Sequence, residues 1–340
     1  MRGARRRKSK AGVANVALLA AGCLSCLSVF LFFEEPPRPS FVVVESGGER
    51  GAVDSNLSDL IPANLTLAVT TLVLNQGRYL AEWVDFHARM GFQFFLIFDD
   101  GSTDDTFEVL APYVRDRTVL VVHARRSFAV CADQARQAMQ HQQAQCQTAV
   151  FNYARSQLAG KTAWMGNFDV DEFVWTPILP LPRLLARPEF ASYDRLDLVG
   201  LVFGTNNVSQ ASGRPVLETF IRRAQVFPYP FQIRFVGPEY AHKSLFRPDK
   251  IGFVGVHWPW CFLCRCRTIR PLSHDIRLNH YQYKSRAEQR EKAALNRNPA
   301  LDFSPDLELF LNTVEDVSIL HSFSAFPDAA IGHDSPSTAP

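Results

Sequence analysis

At 340 residues and 47% apolar, the chain has the composition of a folded protein with room for one large α/β core or two smaller ones, which excludes the disordered class. Its formal charge of +2 hides an asymmetry: Arg2, Arg5, Arg6, Arg7, Lys8 and Lys10 lead the chain without an acidic neighbour, so 30 basic residues face 34 acidic ones over positions 11 to 340, a formal −4. A nucleic-acid-binding domain would spread Lys and Arg over its folded part, and that class is excluded.

Residues 1–10 read as a basic cytoplasmic tail. Residues 11–33 carry no charge, and a helix of that length, at about 1.5 Å per residue, covers the roughly 30 Å of bilayer hydrocarbon. The positive-inside bias puts the C-terminal bulk in the lumen, a single-pass type II topology of the Golgi kind. A cleaved signal peptide is the competing reading, but it has a shorter apolar core and small residues at its cleavage site, whereas Glu34-Glu35-Pro36-Pro37 follows here. The sequons at Asn56, Asn64 and Asn207 lie on the lumenal side as glycosylation sites. So do five cysteines: Cys131, Cys146, Cys261, Cys264 and Cys266. An oxidising lumen favours disulfides among them, with one left over.

Residues 34–66, with their prolines and the Gly47-Gly48 pair, lack periodicity and read as a stem. Folding signals open the main folded domain, residues 67–325. The unbroken apolar and β-branched run Leu67 to Leu74 predicts a buried parallel strand, and Asn75-Gln76-Gly77 predicts a turn. From Arg78 to Met90 the apolar positions fall at helical spacing, closed by Gly91. A second strand, Phe92 to Phe98, runs into Asp99-Asp100-Gly101-Ser102-Thr103, where Ser102 or Thr103 would cap the next helix. Thr118 to Val122 is a third strand. Cys131 to Leu158 reads as one or two helices, and Ala163 to Phe168 as a strand that ends at Asp169. This alternation predicts right-handed βαβ crossovers, a Rossmann-like, mostly parallel sheet with flanking helices, and ligands beyond the carboxyl ends of its strands. Further strands are expected at Leu196 to Phe203, Thr219 to Val226 and Ser244 to Arg247, with a helix from Ser285 to Leu295. Residues 326–340 read as a flexible tail.

Asp169-Val170-Asp171-Glu172 places three carboxylates in four positions at the mouth of an apolar strand. Hard divalent ions take such oxygen ligands, and in an extended chain Asp169 and Asp171 point the same way. A solvated acidic turn is the bland alternative. Asp99 and Asp100, at another strand end, suit hydrogen bonding to a base or ribose, or an ordinary capped loop. His257-x3-Cys261-x2-Cys264-x-Cys266 offers four soft ligands for zinc, against which stand the crowded spacing and the oxidising lumen. Nearby Trp258, Trp260 and Phe262 could stack on sugars or belong to the core.

Leu80-Ala-Glu-Trp-Val-Asp-Phe-His87, Gly91, Phe98-Asp-Asp-Gly-Ser-Thr-Asp104, Asp169-Val-Asp-Glu-Phe173, Lys243-Ser-Leu-Phe-Arg-Pro248 and His280-Tyr281 with Lys284-Ser285 occur in the order seen in glycosyltransferase family 92. Over residues 67 to 295 the chain resembles that family, which is similar in turn to the GT-A transferases of family 2. The resemblance implies a GT-A fold and an inverting, metal-dependent transfer of a hexose from a nucleotide-sugar donor to a glycan or glycoconjugate, with UDP-galactose the donor of the best-known members. It implies that Asp99 and Asp100 bind the uridine side, that Asp169 and Asp171 hold Mn²⁺ or Mg²⁺ with His280 as a third ligand, and that Lys243, Arg247 and Lys284 contact phosphate. Glu172 and Glu218 are candidates for the general base. Relatives carry Lys-Asn-Glu after the first strand where this chain has Leu74-Asn75-Gln76, which keeps open a second reading: a membrane-tethered glycan-binding or scaffold protein that retains the fold without turnover.

Overall fold

The structure is a computed structural model and describes residues 41–44, 50–53, 57–132, 140–177, 180–211, 213–225, 242–270, 273–296 and 305–325. The basic tail, the apolar segment 11–33, Asn56 and the C-terminal residues 326–340 lie outside the described residues. Among the described residues, no helix is long and apolar enough to cross a membrane.

β1 (Phe41–Val44) and β2 (Arg50–Val53) form an antiparallel hairpin, and β1 adds to the edge of β5 (Val119–His123). From β5 the sheet continues through β4 (Phe94–Asp99), β3 (Leu65–Val73) and β6 (Thr162–Asn167), four parallel neighbours in the order β5-β4-β3-β6. These strands are almost continuously apolar because helices cover both faces, as βαβ crossovers require. Alternation along β4 shows the division. Phe95 and Ile97 pack with Trp83 and Leu110 of helices Gly77–Arg89 and Thr106–Arg115, while Phe94, Leu96 and Phe98 pack with Val150, Phe151 and Ala154 of helix Gln140–Leu158.

Beyond β6 the directions mix. β7 (Glu172–Trp175) and β8 (Arg195–Val202) precede the two-residue β9 (Arg222–Arg223); β10 (His242–Phe246) runs antiparallel between β6 and β8. After the small β11 (Phe253–Val254) and β12 (Pro259–Trp260) hairpin, β13 (Cys266–Ile269) and β14 (Arg277–His280) pair parallel with β8 in succession. β7 closes the far edge against β14, and β15 (Val314–Glu315) pairs with β9. The expected mostly parallel sheet is therefore parallel in its middle and mixed toward the β7 edge.

Expected and observed elements agree from β3 to β6 within two residues. Gly91 ends helix Gly77–Arg89 at φ +102°, a conformation only glycine adopts without strain. Three expectations are corrected. The stem boundary at 66 falls inside the fold: the Phe41–Val44 run is β-branched enough to pair with β5, and Leu57 of helix Leu57–Leu60 is fully buried. The compact unit that holds the sheet begins at Ser40. Neither Ser102 nor Thr103 caps the second helix; its N-cap position is Asp105, and the Asp104 carboxylate just before it accepts from Thr106 N–H at 3.2 Å and from Gly77 N–H at 3.0 Å, so one side chain ties two helix starts together. The strand expected over Thr219 to Val226 begins instead as the helical turn Val216–Thr219, because Glu82 accepts the N–H groups of Val216 (2.6 Å) and Leu217 (3.0 Å); among the described residues of that span β9 is the strand, and Val226 lies outside them.

Candidate functional site

β3, β4, β5 and β6 run in one direction, so their carboxyl ends share an edge, and two groups of polar residues meet there. The first follows β4 and β5. Asp99, fully buried, accepts from Gly101 N–H (3.0 Å) and Ser102 N–H (2.9 Å) and faces His123 Nδ1 at 3.3 Å. Burial alone would raise its pKa, yet these donors hold it below the usual carboxylate range. Asp100 pairs with Arg125 Nε at 3.1 Å; burial, opposed by Arg125, pushes it upward. Asp99, Gly101, Phe107, His123, Arg125 and Arg126 line a cavity of ≈170 Å³. Gly101 sits at φ +84°, and a Cβ there would lie 2.9 Å from Arg125 Nη1, so the guanidinium lies against bare backbone. His123 Nε2 is buried with no hydrogen-bond partner among the described residues.

The second group surrounds Asp169 to Glu172. The extended run expected there is a turn. Glu172 N–H donates to Asp169 C=O and Asp169 N–H donates to Glu172 Oε2, both at 2.9 Å. This reciprocal cap forms because the chain must leave β6 for β7 at the far edge of the sheet. Asp169 and Asp171 consequently diverge. Asp169 meets Lys243 Nζ at 3.0 Å and Gln147 at 3.5 Å, while Asp171 meets His280 Nε2 at 3.5 Å and Lys284 Nζ at 3.7 Å. β14 positions the imidazole: His280 pairs with Glu172 in register, and Tyr281 N–H donates to Asp171 C=O at 2.7 Å.

Charge balance follows from burial. Desolvation would raise Asp171, but Lys284 and His280 hold it well below the ordinary value. His280 is pushed down by burial, but Asp171 and Glu172 together raise it above the ordinary value. Burial lowers Lys284, against the pull of Asp171. Lys243, 1% exposed, would be lowered by burial but is raised by Asp169 and Glu172 around it. Glu172, also buried, is raised by desolvation against Lys243. It is 3.4 Å from Lys243 Nζ and accepts from Asp169 N–H, which makes it an anchor of the turn.

Helix Gly77–Arg89 holds this turn from behind. Trp83 Nε1–H donates to Glu172 C=O at 3.0 Å, and His87 accepts from Val174 N–H through Nε2 at 3.3 Å. The Glu82-Trp83-His87 part of the sequence pattern is thus a brace. Arg247 is not brought to the acidic group: its guanidinium lies 4.5 Å from the Trp164 ring centroid and donates to the carbonyls of Tyr193 and Ala191. Glu218 is exposed and faces Arg214 at 3.6 Å. Asn64 and Asn207 are both exposed, as glycosylation requires, and Asn207 accepts from Arg286 at 3.3 Å. Cys131 and Cys146 form a disulfide; Cys261 pairs with Cys264, and Cys266 Sγ remains a thiol 3.1 Å from Cys264 Sγ. Trp258, Trp260 and Phe262 are exposed and not core.

The Asp171 and His280 pair fits a divalent ion. Two ligands at about 2.1–2.2 Å from one ion lie about 3.0–3.6 Å apart at tetrahedral to octahedral angles, and these two atoms are 3.5 Å apart. Asp169 does not join them: among the described residues, no three carboxylate or imidazole ligand atoms from different residues gather within 4.8 Å of one another. His123, Arg125, Arg126 and Gln147 were not singled out from sequence. His123 ends the third parallel strand and Arg125 and Arg126 follow it directly, the position where a ligand is expected.

The family model for glycosyltransferase family 92 matches residues 64–306, well over half of the chain. The chain belongs to glycosyltransferase family 92. Relatives include a family 92 protein of Ricinus communis, 27% identical over 228 residues (64% of this chain, 35% of the relative), and one of Oryza sativa subsp. japonica, 26% identical over 194 residues (55% and 28%). The chain thus spans about a third of the length of the curated relatives it matches. Among solved structures it is similar to Staphylococcus aureus TarS 1-349 in complex with UDP, at 12% identity and a TM-score of 0.37 over 72% of this chain and 74% of that one. It is also similar to Mycobacterium tuberculosis glucosyl-3-phosphoglycerate synthase with Mn²⁺, UDP and glucosyl-3-phosphoglycerate, at 13% identity and a TM-score of 0.34 over 73% and 83%.

Proposed function

We propose that this family 92 chain transfers a hexose from a UDP-sugar to a glycan or glycoconjugate acceptor, with inversion, and that a divalent ion, Mn²⁺ or Mg²⁺, takes part. One observation carries the reading: the cavity after β4 and β5 and the acidic turn after β6 lie on one sheet edge on either side of β3. Two interstrand spacings separate them by about 10 Å, the reach from a nucleoside to its diphosphate.

In this reading the cavity takes the base, with Asp99 rigidifying the loop and His123 Nε2 available to the heterocycle. Asp171 and His280 would hold the ion, which supplies Lewis-acid neutralisation of charge on the departing diphosphate. Lys243 keeps Asp169 in place, and Glu172 keeps the turn closed. The Golgi location and type II membrane topology rest on residues 1–33 and belong to the same proposal. Incubating the full-length chain with a panel of nucleotide sugars and Mn²⁺, with and without chelator, tests it. Chelator-sensitive donor turnover is expected. Absence of turnover with every donor would favour the non-catalytic glycan-binding reading that Gln76 keeps open.

A further inference from the structure

Lys284 sits in an unusual place for a lysine. It lies between β14 and helix Arg286–Asn296 with φ +28°, a backbone conformation that side-chain-bearing residues rarely adopt. Both flanks are fixed: Tyr281 N–H is bonded to Asp171 C=O, and Ser285 caps the following helix reciprocally with Glu288, whose carboxylate accepts from Ser285 N–H at 3.0 Å. Such strain persists only where the surroundings impose it, and it clusters at functional sites. The side chain is 11% exposed, its Nζ 3.7 Å from Asp171 Oδ2 and 4.6 Å from the Tyr79 ring centroid.

Asp171 therefore faces two different cation seats. Oδ1 looks at His280 Nε2, the pair spaced for an ion, and Oδ2 looks at an ammonium group. A divalent ion on the first oxygen and Lys284 on the second are like charges a few ångströms apart in poorly hydrated surroundings, and each opposes the other. A diphosphate changes that balance, because it offers the ammonium group an anionic partner of its own. Tyr79, packed on the charged end by a cation–π contact, guides the side chain in either position.

We propose that Lys284 occupies the seat beside Asp171 when no nucleotide is bound and transfers to the diphosphate when one arrives, so that this one side chain adds its own positive coupling between divalent-ion and nucleotide binding to their direct attraction. The proposal rests on the reading of Asp171 and His280 as ion ligands. By linkage, whatever factor the nucleotide adds to ion affinity the ion adds to nucleotide affinity.

The test titrates Mn²⁺ into the full-length chain, following free Mn²⁺ by electron paramagnetic resonance with and without UDP, with the Mn²⁺ that UDP binds in a protein-free titration subtracted. Wild type is compared with Lys284→Met, and with Lys284→Gly, which removes the side chain while glycine accepts the positive φ without strain. UDP should tighten Mn²⁺ binding to wild type about tenfold or more, and both variants should bind Mn²⁺ alone about tenfold more tightly, with the UDP effect reduced by a similar factor and only the direct attraction between ion and diphosphate left. Variants that bind Mn²⁺ alone no better than wild type, while Asp171→Asn abolishes binding, would overturn the role of Lys284 and leave the ion site standing. Tighter binding with undiminished UDP coupling would overturn the transfer to the diphosphate. If wild type binds no Mn²⁺ even with UDP, the ion reading fails and this proposal with it.

Discussion

His87 should make this fold acid-sensitive in a way that one substitution removes. The ring is wholly enclosed, stacked near-parallel to Phe168 and Phe173, with Nδ1–H donating to Trp83 C=O at 2.9 Å and Nε2 accepting from Val174 N–H at 3.3 Å. Protonation would set a second N–H against that of Val174, so the ring stays neutral; burial lowers its pKa from 6.5 to about 3. A depressed folded-state pKa means the unfolded chain binds the extra proton. The contribution is therefore complete above pH 6.5 and is lost as pH falls toward 3, at about 1.4 kcal/mol per unit. Between pH 7 and pH 5 this one group removes about 2 kcal/mol. His87→Gln retains a donor and an acceptor but does not titrate, and at pH 7 it should cost about 1–3 kcal/mol. Urea unfolding of the unit Ser40–Pro340 at both pH values measures the gap between the two proteins, which should narrow by about 2 kcal/mol on acidification. An unchanged gap would refute the enclosed, neutral imidazole and with it the brace behind the acidic turn.

Other consequences can be checked separately. A Cβ at Gly166 would overlap the buried Phe168 ring, so Gly166→Ala should destabilise by about 1–3 kcal/mol in the same unfolding experiment. Glu82→Ala strips the acceptor from two amides and should cost about 2–3 kcal/mol, with accelerated hydrogen exchange at Val216 and Leu217; ordinary protection there would contradict the cap. Asp171→Asn should lower kcat about a hundredfold or more with an unaltered circular dichroism spectrum, and an undiminished rate would remove Asp171 from the chemistry.

The central strands were legible because each is a short apolar run that ends on a polar turn: β3 at Asn75-Gln76-Gly77, β4 at Asp99 and β6 before Asp169. What could not be read depends on partners distant in the chain. β1 is a strand because β5 offers an edge, and Val216–Thr219 is helical because Glu82, on another element, accepts its N–H groups. The acidic residues announced themselves by density, yet their direction did not: a D-x-D run read as extended is folded back by Glu172. Basic residues were harder still. Nothing in the local sequence separates Lys284, which reaches Asp171, from Arg247, which covers Trp164, because both belong to short basic motifs and only packing divides them.

The central claim is that one nucleotide bridges the two polar groups on the sheet edge. A crystal structure of the chain grown with UDP and Mn²⁺ tests it most directly. The account predicts uracil in the cavity lined by Phe107, His123 and Arg125, and the diphosphate and ion at Asp171 and His280. A nucleotide bound elsewhere, with Asp171 still paired to Lys284, would contradict it.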